Sequence, residues 1–311
     1  MNFRREDKAR AGMGRRRFWR RAVSLAFALF LALPAARADD LSRTMSYKQM
    51  PWHLVDVHWV LDADVEDFRE LSMSVQFADD PGTGVRLYIA PTGSMRLNGV
   101  LMYGGLQTQG RAIPGHVGKQ LIFSRWGERR REYVRPVPGG AWRSLDTEGD
   151  FIGVRSRMEW GRGKYKVVVS KAEYEEGDFP GSWVEYRVCV YDAETCTLVG
   201  GLKFPGRTLK LGKTVISFVE LYGRAIDPDT MPKTRVTFGD LRINGDPAKL
   251  KFATAFYPWN VPPHSNAVRS GNGEVAVDIG RPVSKRHLPT NARGTFYDRL
   301  ITPTSPEIRP R

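Results

Sequence analysis

The segment Leu71–Phe77 reads LSMSVQF, and it decides the fold class because its apolar and polar residues alternate. Its apolar residues, Leu71, Met73, Val75 and Phe77, point to one side of an extended chain. Strict alternation over this length is typical of a β-strand with one buried face. The segment therefore predicts a strand that packs on a core.

The same alternation recurs along most of the chain. It predicts further strands at 85–89, 121–123, 165–170, 184–190, 198–204, 215–221 and 235–243. Glycine and proline lie in nearly every gap, as in the turn at 79–82, and no stretch has a long helical period. Many short strands at this spacing predict an all-β protein, an antiparallel β-sandwich or jelly roll.

Residues 1–38 have the pattern of an export signal. Arginines are frequent up to Arg21, an apolar run follows at 22–33, and Ala36-Arg37-Ala38 has small residues at the two positions that a signal peptidase reads. The run is shorter than the roughly 20 apolar residues that cross a bilayer. RRRFW at 15–19 is similar to a twin-arginine signal. The sequence predicts an exported protein, periplasmic or extracellular, with no membrane span after signal cleavage, and leaves the export route open.

The positive charge of the chain lies largely in this leader. The whole chain has 48 basic and 34 acidic residues, a net charge of +14. Ten of the basic and two of the acidic residues lie in 1–38, so the remainder carries +6. This mild charge argues against a nucleic-acid partner. It suits acidic glycans or envelope surfaces, but a solvated surface of mixed charge is the interpretation that we favour.

Strand patterning fades after Phe256, where prolines recur. We therefore divide the chain into a signal peptide at 1–38, a β-sandwich domain at 39–250 and a proline-rich C-terminal extension at 251–311, with one further strand at 275–279.

Cys189 and Cys196 are the two cysteines, and they flank the tip of a predicted hairpin. With a loop at 192–195, Tyr191 faces Cys196, and Cys189 lies diagonally on the same face. Export to an oxidising compartment favours a structural disulfide between them. The cysteines and the five histidines lack the spacing of metal ligands, so we predict no metal cofactor. The acidic loop at 175–178 leaves calcium as an open alternative.

Several short motifs resemble a known family. They are YGGLQT at 103–108, IFSRW at 122–126, EGDF at 148–151, WGRGKY at 160–165, WVEY at 183–186, GLKFP at 201–205 and SFVE at 217–220. In this order they resemble the secreted bacterial domain-of-unknown-function family numbered 3472. The resemblance runs from about residue 45 to residue 245. It implies a lectin-type, concanavalin-like β-sandwich found near carbohydrate-handling modules, and it implies no reaction and no catalytic residue.

Aromatic, amide and carboxylate side chains are the candidates for binding a sugar, because rings stack on pyranoses and an amide both donates and accepts hydrogen bonds. The candidate ligand-binding residues are Tyr103, Gln107, Trp126, Trp160, Trp183 and Glu185. Trp183 and Glu185 are predicted on the strand face opposite Val184, which makes that face polar and aromatic. Core packing of the tryptophans, and a bulged strand at 103–108, are the alternatives.

Glu220 follows an otherwise apolar strand at 215–219, so it is a candidate catalytic carboxylate with Glu185 or Asp150 as a second one. Pairing of Glu220 with Arg224 or with an arginine of a neighbouring strand is the structural alternative, and we favour it for this residue. The sequence contains no serine-hydrolase elbow and no phosphate-binding loop. We favour an exported carbohydrate-binding protein whose partner is a glycan, neutral or acidic. A polysaccharide-cleaving glycoside hydrolase and a protein-interaction module remain open.

Overall fold

The alternating segments of the sequence form two large antiparallel sheets that pack against each other in an all-β sandwich, as predicted. The structure is a computed structural model, and it describes residues 53–145, 149–191, 193, 195–257, 264–281 and 296–301. The predicted signal peptide at 1–38 lies outside these residues. Within the described ranges no helix is long and apolar enough to span a membrane.

The front sheet has nine strands in the order β18-β15-β1-β12-β3-β4-β5-β8-β7. These strands are β1 (His53–Leu61), β3 (Leu87–Leu97), β4 (Val100–Gly110), β5 (Gly118–Trp126), β7 (Ala141–Leu145), β8 (Phe151–Arg157), β12 (Thr214–Leu221), β15 (Leu250–Tyr257) and β18 (Phe296–Ile301).

The back sheet has the order β16-β17-β13-β2-β9-β10-β11-β6, with β14 paired beside β13. These strands are β2 (Glu70–Phe77), β6 (Val134–Pro136), β9 (Gly163–Glu175), β10 (Gly181–Val190), β11 (Cys196–Phe204), β13 (Thr234–Ile243), β14 (Asp246–Pro247), β16 (Ser265–Arg269) and β17 (Val275–Ile279). Single 3-10 turns lie at Arg131–Tyr133, Pro228–Thr230 and Gly271–Gly273.

The main core fills the space between the two sheets. Phe123 of the front sheet stacks on Tyr186 of the back sheet, with 5.3 Å between the ring centroids. The buried Trp59 donates its indole hydrogen bond to Ser217 at 2.9 Å, so its one polar group is satisfied. These side chains alternate with outward-pointing neighbours, and each sheet therefore presents an outer face on the side away from the core.

The sandwich includes strands that the predicted boundary at residue 250 leaves out. β15 pairs with β1 in the front sheet, and β16 and β17 extend the back sheet beyond β13. The described parts of 251–311 therefore belong to the two sheets rather than to an extension. The pattern was hidden because the inward residues of β15 are small, such as Ala253 and Ala255, which are both fully buried.

The structure joins Cys189 and Cys196 by a disulfide. The two cysteines are directly opposite each other on β10 and β11, not diagonal as the predicted loop implied. The reason is that the amide of Val190 donates to the carbonyl of Thr195 at 3.1 Å, which closes the hairpin after Val190. The bridge therefore connects the last paired residues of this hairpin.

Candidate functional site

The outer face of the front sheet carries a row of polar and aromatic side chains across four strands. Glu220 pairs with Tyr88, Tyr88 with Gln107, and Gln107 with Gln120. Directly paired residues point to the same side of a sheet. Because their neighbours such as Val219 are in the core, these four point outward. We call the outward side chains of the front sheet the front face.

A chain of aromatic rings runs along the front face. Between ring centroids, Tyr88 lies 5.2 Å from Phe218 and 6.2 Å from Tyr103. Tyr103 lies 6.1 Å from Trp126, which packs on Phe151 at 5.3 Å. Tyr103 and Trp126 are half-buried, so part of each ring remains at the surface. A second apolar cluster, separate from the main core, consists of Tyr88, Ala90, Ile122 and Phe218.

Two glycines make room for side chains that lie against the front face. A Cβ atom on Gly93 would stand under 3.0 Å from the ring of Phe218. A Cβ atom on Gly110 would stand equally close to the side-chain amide of Gln120. Glycine in a strand often marks such a close approach. Here the absence of side chains lets the Phe218 ring and the Gln120 amide lie directly against the sheet.

Three buried polar atoms of the front face lack a hydrogen-bond partner among the described residues. They are the Tyr88 hydroxyl, Gln120 Oε1 and Ser124 Oγ. The Nε2 of Gln120 donates to Gln107 Oε1 at 2.6 Å, which fixes the amide and leaves Gln120 Oε1 as an unused acceptor. Buried polar groups are nearly always hydrogen-bonded. The front face therefore has donor and acceptor capacity that a bound molecule can satisfy.

A histidine between two carboxylates lies at the β1 end of the front face. His53 Nδ1 is 2.6 Å from Asp56 Oδ1, its backbone pairs with Glu220, and its ring stacks on Phe218 at 4.1 Å. Burial opposes the charged imidazolium, but the hydrogen bond to Asp56 and the charges of Asp56 and Glu220 outweigh burial and raise the pKa of His53. This part of the face therefore holds an imidazole that can exchange a proton near neutral pH.

Because the folded-state pKa of His53 is raised, its charge stabilises the fold below the unfolded histidine pKa of about 6.5, and that contribution disappears as the pH rises through the folded value. We expect Asp56→Asn to lower the melting temperature more at pH 5 than at pH 8. Thermal unfolding across this range measures the difference. Asp62→Asn, which removes an exposed carboxylate at the end of β1, is the control. A deficit that is the same at both pH values would contradict the expected role of His53.

The structure does not bring the predicted carboxylates together. Glu185 lies on β10 between Val184 and Tyr186, which are in the core, so it points to the outer face of the back sheet and bonds Arg187. Asp150 is exposed before β8, where its carboxylate is 3.7 Å from Arg129. Glu220 is on the opposite side of the sandwich from Glu185. Among the described residues, Asp56, beside His53, is a carboxylate that shares the front face with Glu220.

Two of the predicted sugar-stacking tryptophans are buried away from the front face. Trp160 is 3% exposed and packs on Phe77 in the main core, with 4.9 Å between the ring centroids. Trp183 is also 3% exposed. Its ring lies 3.8 Å from the Arg135 guanidinium and 4.8 Å from Lys203 Nζ. Neither ring is presented for stacking: Trp160 fits the core alternative, whereas Trp183 lies on the outer face of the back sheet and is covered by Arg135 and Lys203.

In the acidic loop at 175–178, which was the candidate for calcium binding, carboxylates bond cationic side chains of the protein itself. Glu175 accepts hydrogen bonds from Lys203 Nζ at 2.7 Å and from the Trp183 indole at 2.6 Å. Glu176 pairs with Arg207. Hydrogen bonding to Lys203 and Trp183 lowers the pKa of Glu175. In the described ranges no group of three or more acidic, histidine or cysteine side chains is arranged to hold a metal ion.

Sequence reasoning missed several residues of the front face, notably Tyr88, Phe218 and Arg155. Tyr88 and Phe218 each lie between two core residues on their strands. Because both side chains are aromatic, the alternation of apolar and polar residues that would indicate an outer face is absent at these positions. Only the pairing of β12, β3, β4 and β5 puts them beside Gln107 and Tyr103.

No family model matches the chain, and no curated protein is significantly similar to it.

Proposed function

We propose that the protein is an exported carbohydrate-binding protein that holds a glycan on the front face. The observation that carries the proposal is that exposed ring surface and unused hydrogen-bonding groups share this one face: Tyr103 and Trp126 supply the rings, and Tyr88 and Gln120 supply polar atoms. Sugars have apolar ring faces edged by hydroxyls that donate and accept, and they need both kinds of contact.

The leader and the motif series support the remainder of the proposal. The pattern of residues 1–38 supports delivery to the periplasm or the exterior, with removal of the leader. The resemblance to the family numbered 3472 supports a lectin-type role for the sandwich. The chain is mildly basic beyond the leader, which gives it little electrostatic attraction to nucleic acid.

Cleavage of a polysaccharide is a second candidate, favoured by the arrangement at the β1 end of the front face. Asp56 and Glu220 both act on His53 there, and glycoside hydrolases work with two carboxylates flanking the bond to be cut. Release of soluble sugar from a polysaccharide panel, lost in Glu220→Gln, would favour this candidate over binding alone.

Removal of the two half-buried rings should weaken glycan binding. We expect Tyr103→Ala and Trp126→Ala each to raise the dissociation constant about tenfold, because truncating an aromatic anchor costs more than about 1 kcal/mol and 1.4 kcal/mol is a factor of ten. A glycan array with the exported protein identifies the ligand, and titration calorimetry with that ligand measures the change.

Trp142→Ala is the matched control, because Trp142 is a 40% exposed tryptophan of the front sheet that alternates with the outward residues of β7. Its affinity should stay within about twofold of the parent protein's. Equal losses in all three variants would place the binding site elsewhere. Silence across neutral and acidic glycans would favour a protein-interaction module instead.

A further inference from the structure

Arg155 is a buried cation of the front face. It lies on β8, pairs with Ile122 of the second apolar cluster, and is only 7% exposed. Its Nη1 donates to the carbonyl of Val154 at 3.2 Å. Within the described ranges no carboxylate lies at ion-pair distance from its guanidinium, and the cation that acts on it is Arg143, on the adjacent strand.

The other buried cations of the described chain are better compensated. Lys203 bonds Glu175 at 2.7 Å, and Lys119 bonds Asp80 at 2.6 Å. Arg125 donates to the carbonyl of Lys203 and lies over the ring of Phe204. A buried charge without an opposite charge is costly, and burial lowers the pKa of Arg155. Arg155 is thus the buried cation whose partner is most clearly missing.

Polar atoms without partners lie on the same part of the front face as the Arg155 guanidinium. A Cβ atom on Gly153 would stand under 3.0 Å from both Ser124 Oγ and Arg155 Nη1, so the hydroxyl and the guanidinium are neighbours. Gln120 and Ser124 flank Ile122, the residue opposite Arg155. Tyr88 belongs to the same cluster as Ile122, and its hydroxyl is also without a partner in the described residues.

Charge is distributed unevenly along the front face. The carboxylates Asp56 and Glu220 lie on β1 and β12. The cationic groups His53 and Arg86 are close to them. On β8 and β7, by contrast, the charged residues are all arginines, namely Arg155, Arg157 and Arg143. An anionic group would therefore be attracted most strongly to the β8 and β7 side of the face.

We propose that Arg155 binds an anionic substituent of the glycan, a carboxylate or a sulfate ester, so that the ligand is an acidic polysaccharide. The planar guanidinium forms paired hydrogen bonds with such oxygens. Ser124 and Tyr88 supply hydroxyl donors to the same group, and Gln120 Oε1 accepts from an adjacent sugar hydroxyl. This assignment rests on the proposed function, since it names the class of glycan that the front face takes.

The test uses the exported protein with polygalacturonate, dextran sulfate and neutral dextran as polymers. We expect the parent protein to bind a charged polymer at least tenfold more tightly than dextran, and Arg155→Met to lose at least tenfold in that affinity. The preferred polymer separates a carboxylate from a sulfate ligand. Arg155→Lys keeps the charge without the paired donors and should bind with intermediate affinity. If the methionine variant does not fold, the lysine variant replaces it in the comparison.

Arg69→Gln is the charge control, because Arg69 is 68% exposed and precedes β2 of the back sheet. Equal losses in Arg69→Gln and Arg155→Met would show diffuse attraction and overturn the assignment. Tight binding of dextran that is unchanged in Arg155→Met would overturn it while leaving glycan binding intact.

A small-anion measurement separates this assignment from the proposed function. Galacturonate or inorganic sulfate, whichever carries the anionic group of the preferred polymer, should raise the melting temperature of the parent protein but not that of Arg155→Met. If the shift occurs and no polymer binds, the anion site stands and the glycan function fails. If neither anion shifts the parent protein, the anion site fails.

Discussion

Gly105→Ala should lower the free energy of unfolding by about 3 kcal/mol, the upper end of the usual cost of overpacking. A Cβ atom there would stand under 3.0 Å from Ile89 O and Ala90 Cα, which are backbone atoms of the neighbouring strand β3. Backbone atoms cannot turn aside as a flexible side chain does, so β3 and β4 would have to separate in the centre of the front sheet. Urea unfolding followed by tryptophan fluorescence measures the change.

Gly84→Ala is the matched control for this substitution. Gly84 is exposed, and a Cβ atom there would meet no atom within 4 Å. Its stability should be unchanged or raised by up to about 1 kcal/mol, because alanine restricts the unfolded chain. If Gly105→Ala were as stable as Gly84→Ala, the close approach of the two strands would not be required by the fold.

Glu175→Ala should destabilise the protein by about 3 kcal/mol, whereas Lys203→Met should cost less than about 1 kcal/mol. Lys203 is 1% exposed, so loss of Glu175 leaves a buried ammonium with no opposite charge. It keeps the Phe179 carbonyl at 2.9 Å and the rings of Trp183 and Tyr133, whose centroids are 4.8 and 5.6 Å from its Nζ. Breaking a fully buried pair costs about 3–5 kcal/mol, and the lower end applies because the Glu175 side chain is 40% exposed. Methionine instead fills the space and leaves a carboxylate that water can reach.

The double variant Glu175→Ala/Lys203→Met completes a thermodynamic cycle for this pair. It should be more stable than Glu175→Ala alone, because the methionine removes the buried charge. Chemical denaturation of all four proteins gives the interaction energy. A double variant that is less stable than either single one would show that Lys203 stabilises the fold through the rings of Trp183 and Tyr133 rather than through Glu175.

Alternation along the sequence was enough to predict the fold class, because a half-buried strand must alternate. Leu71–Phe77 is indeed within β2. β1 follows this rule and was nevertheless missed. Other missed strands break the rule: Phe151–Arg157 has small and charged residues, and its buried Arg155 gives no apolar signal. Leu250–Tyr257 buries alanines. The positions of these two segments in the sequence also gave no indication that they complete the two sheets.

The candidate site was predictable only in part. Tyr103, Gln107, Trp126 and Glu220 were selected from residue chemistry, and the strand pairing brings them to one face. Trp183 was selected by the same reasoning, and its predicted side of β10 agrees with the structure. Its burial could not be read from the sequence, because Lys203 and Arg135, which cover it, are brought there by pairing with other strands.

Strand β1 lies between β12 and β15 in the front sheet, and this order has a consequence for how the chain folds. Trp59 and Ser217, which are hydrogen-bonded, are 158 positions apart in the sequence. Sheets built from such distant partners close slowly, since loop-closure entropy must be overcome before their contacts form. The β10–β11 hairpin joins strands that are adjacent in the sequence, so it forms before the long-range pairs of the sandwich. The part of the front face that holds Phe218 and Glu220, by contrast, exists only after β12 has paired with β1 and β3, so the contact between His53 and Phe218 reports that this long-range pairing has formed.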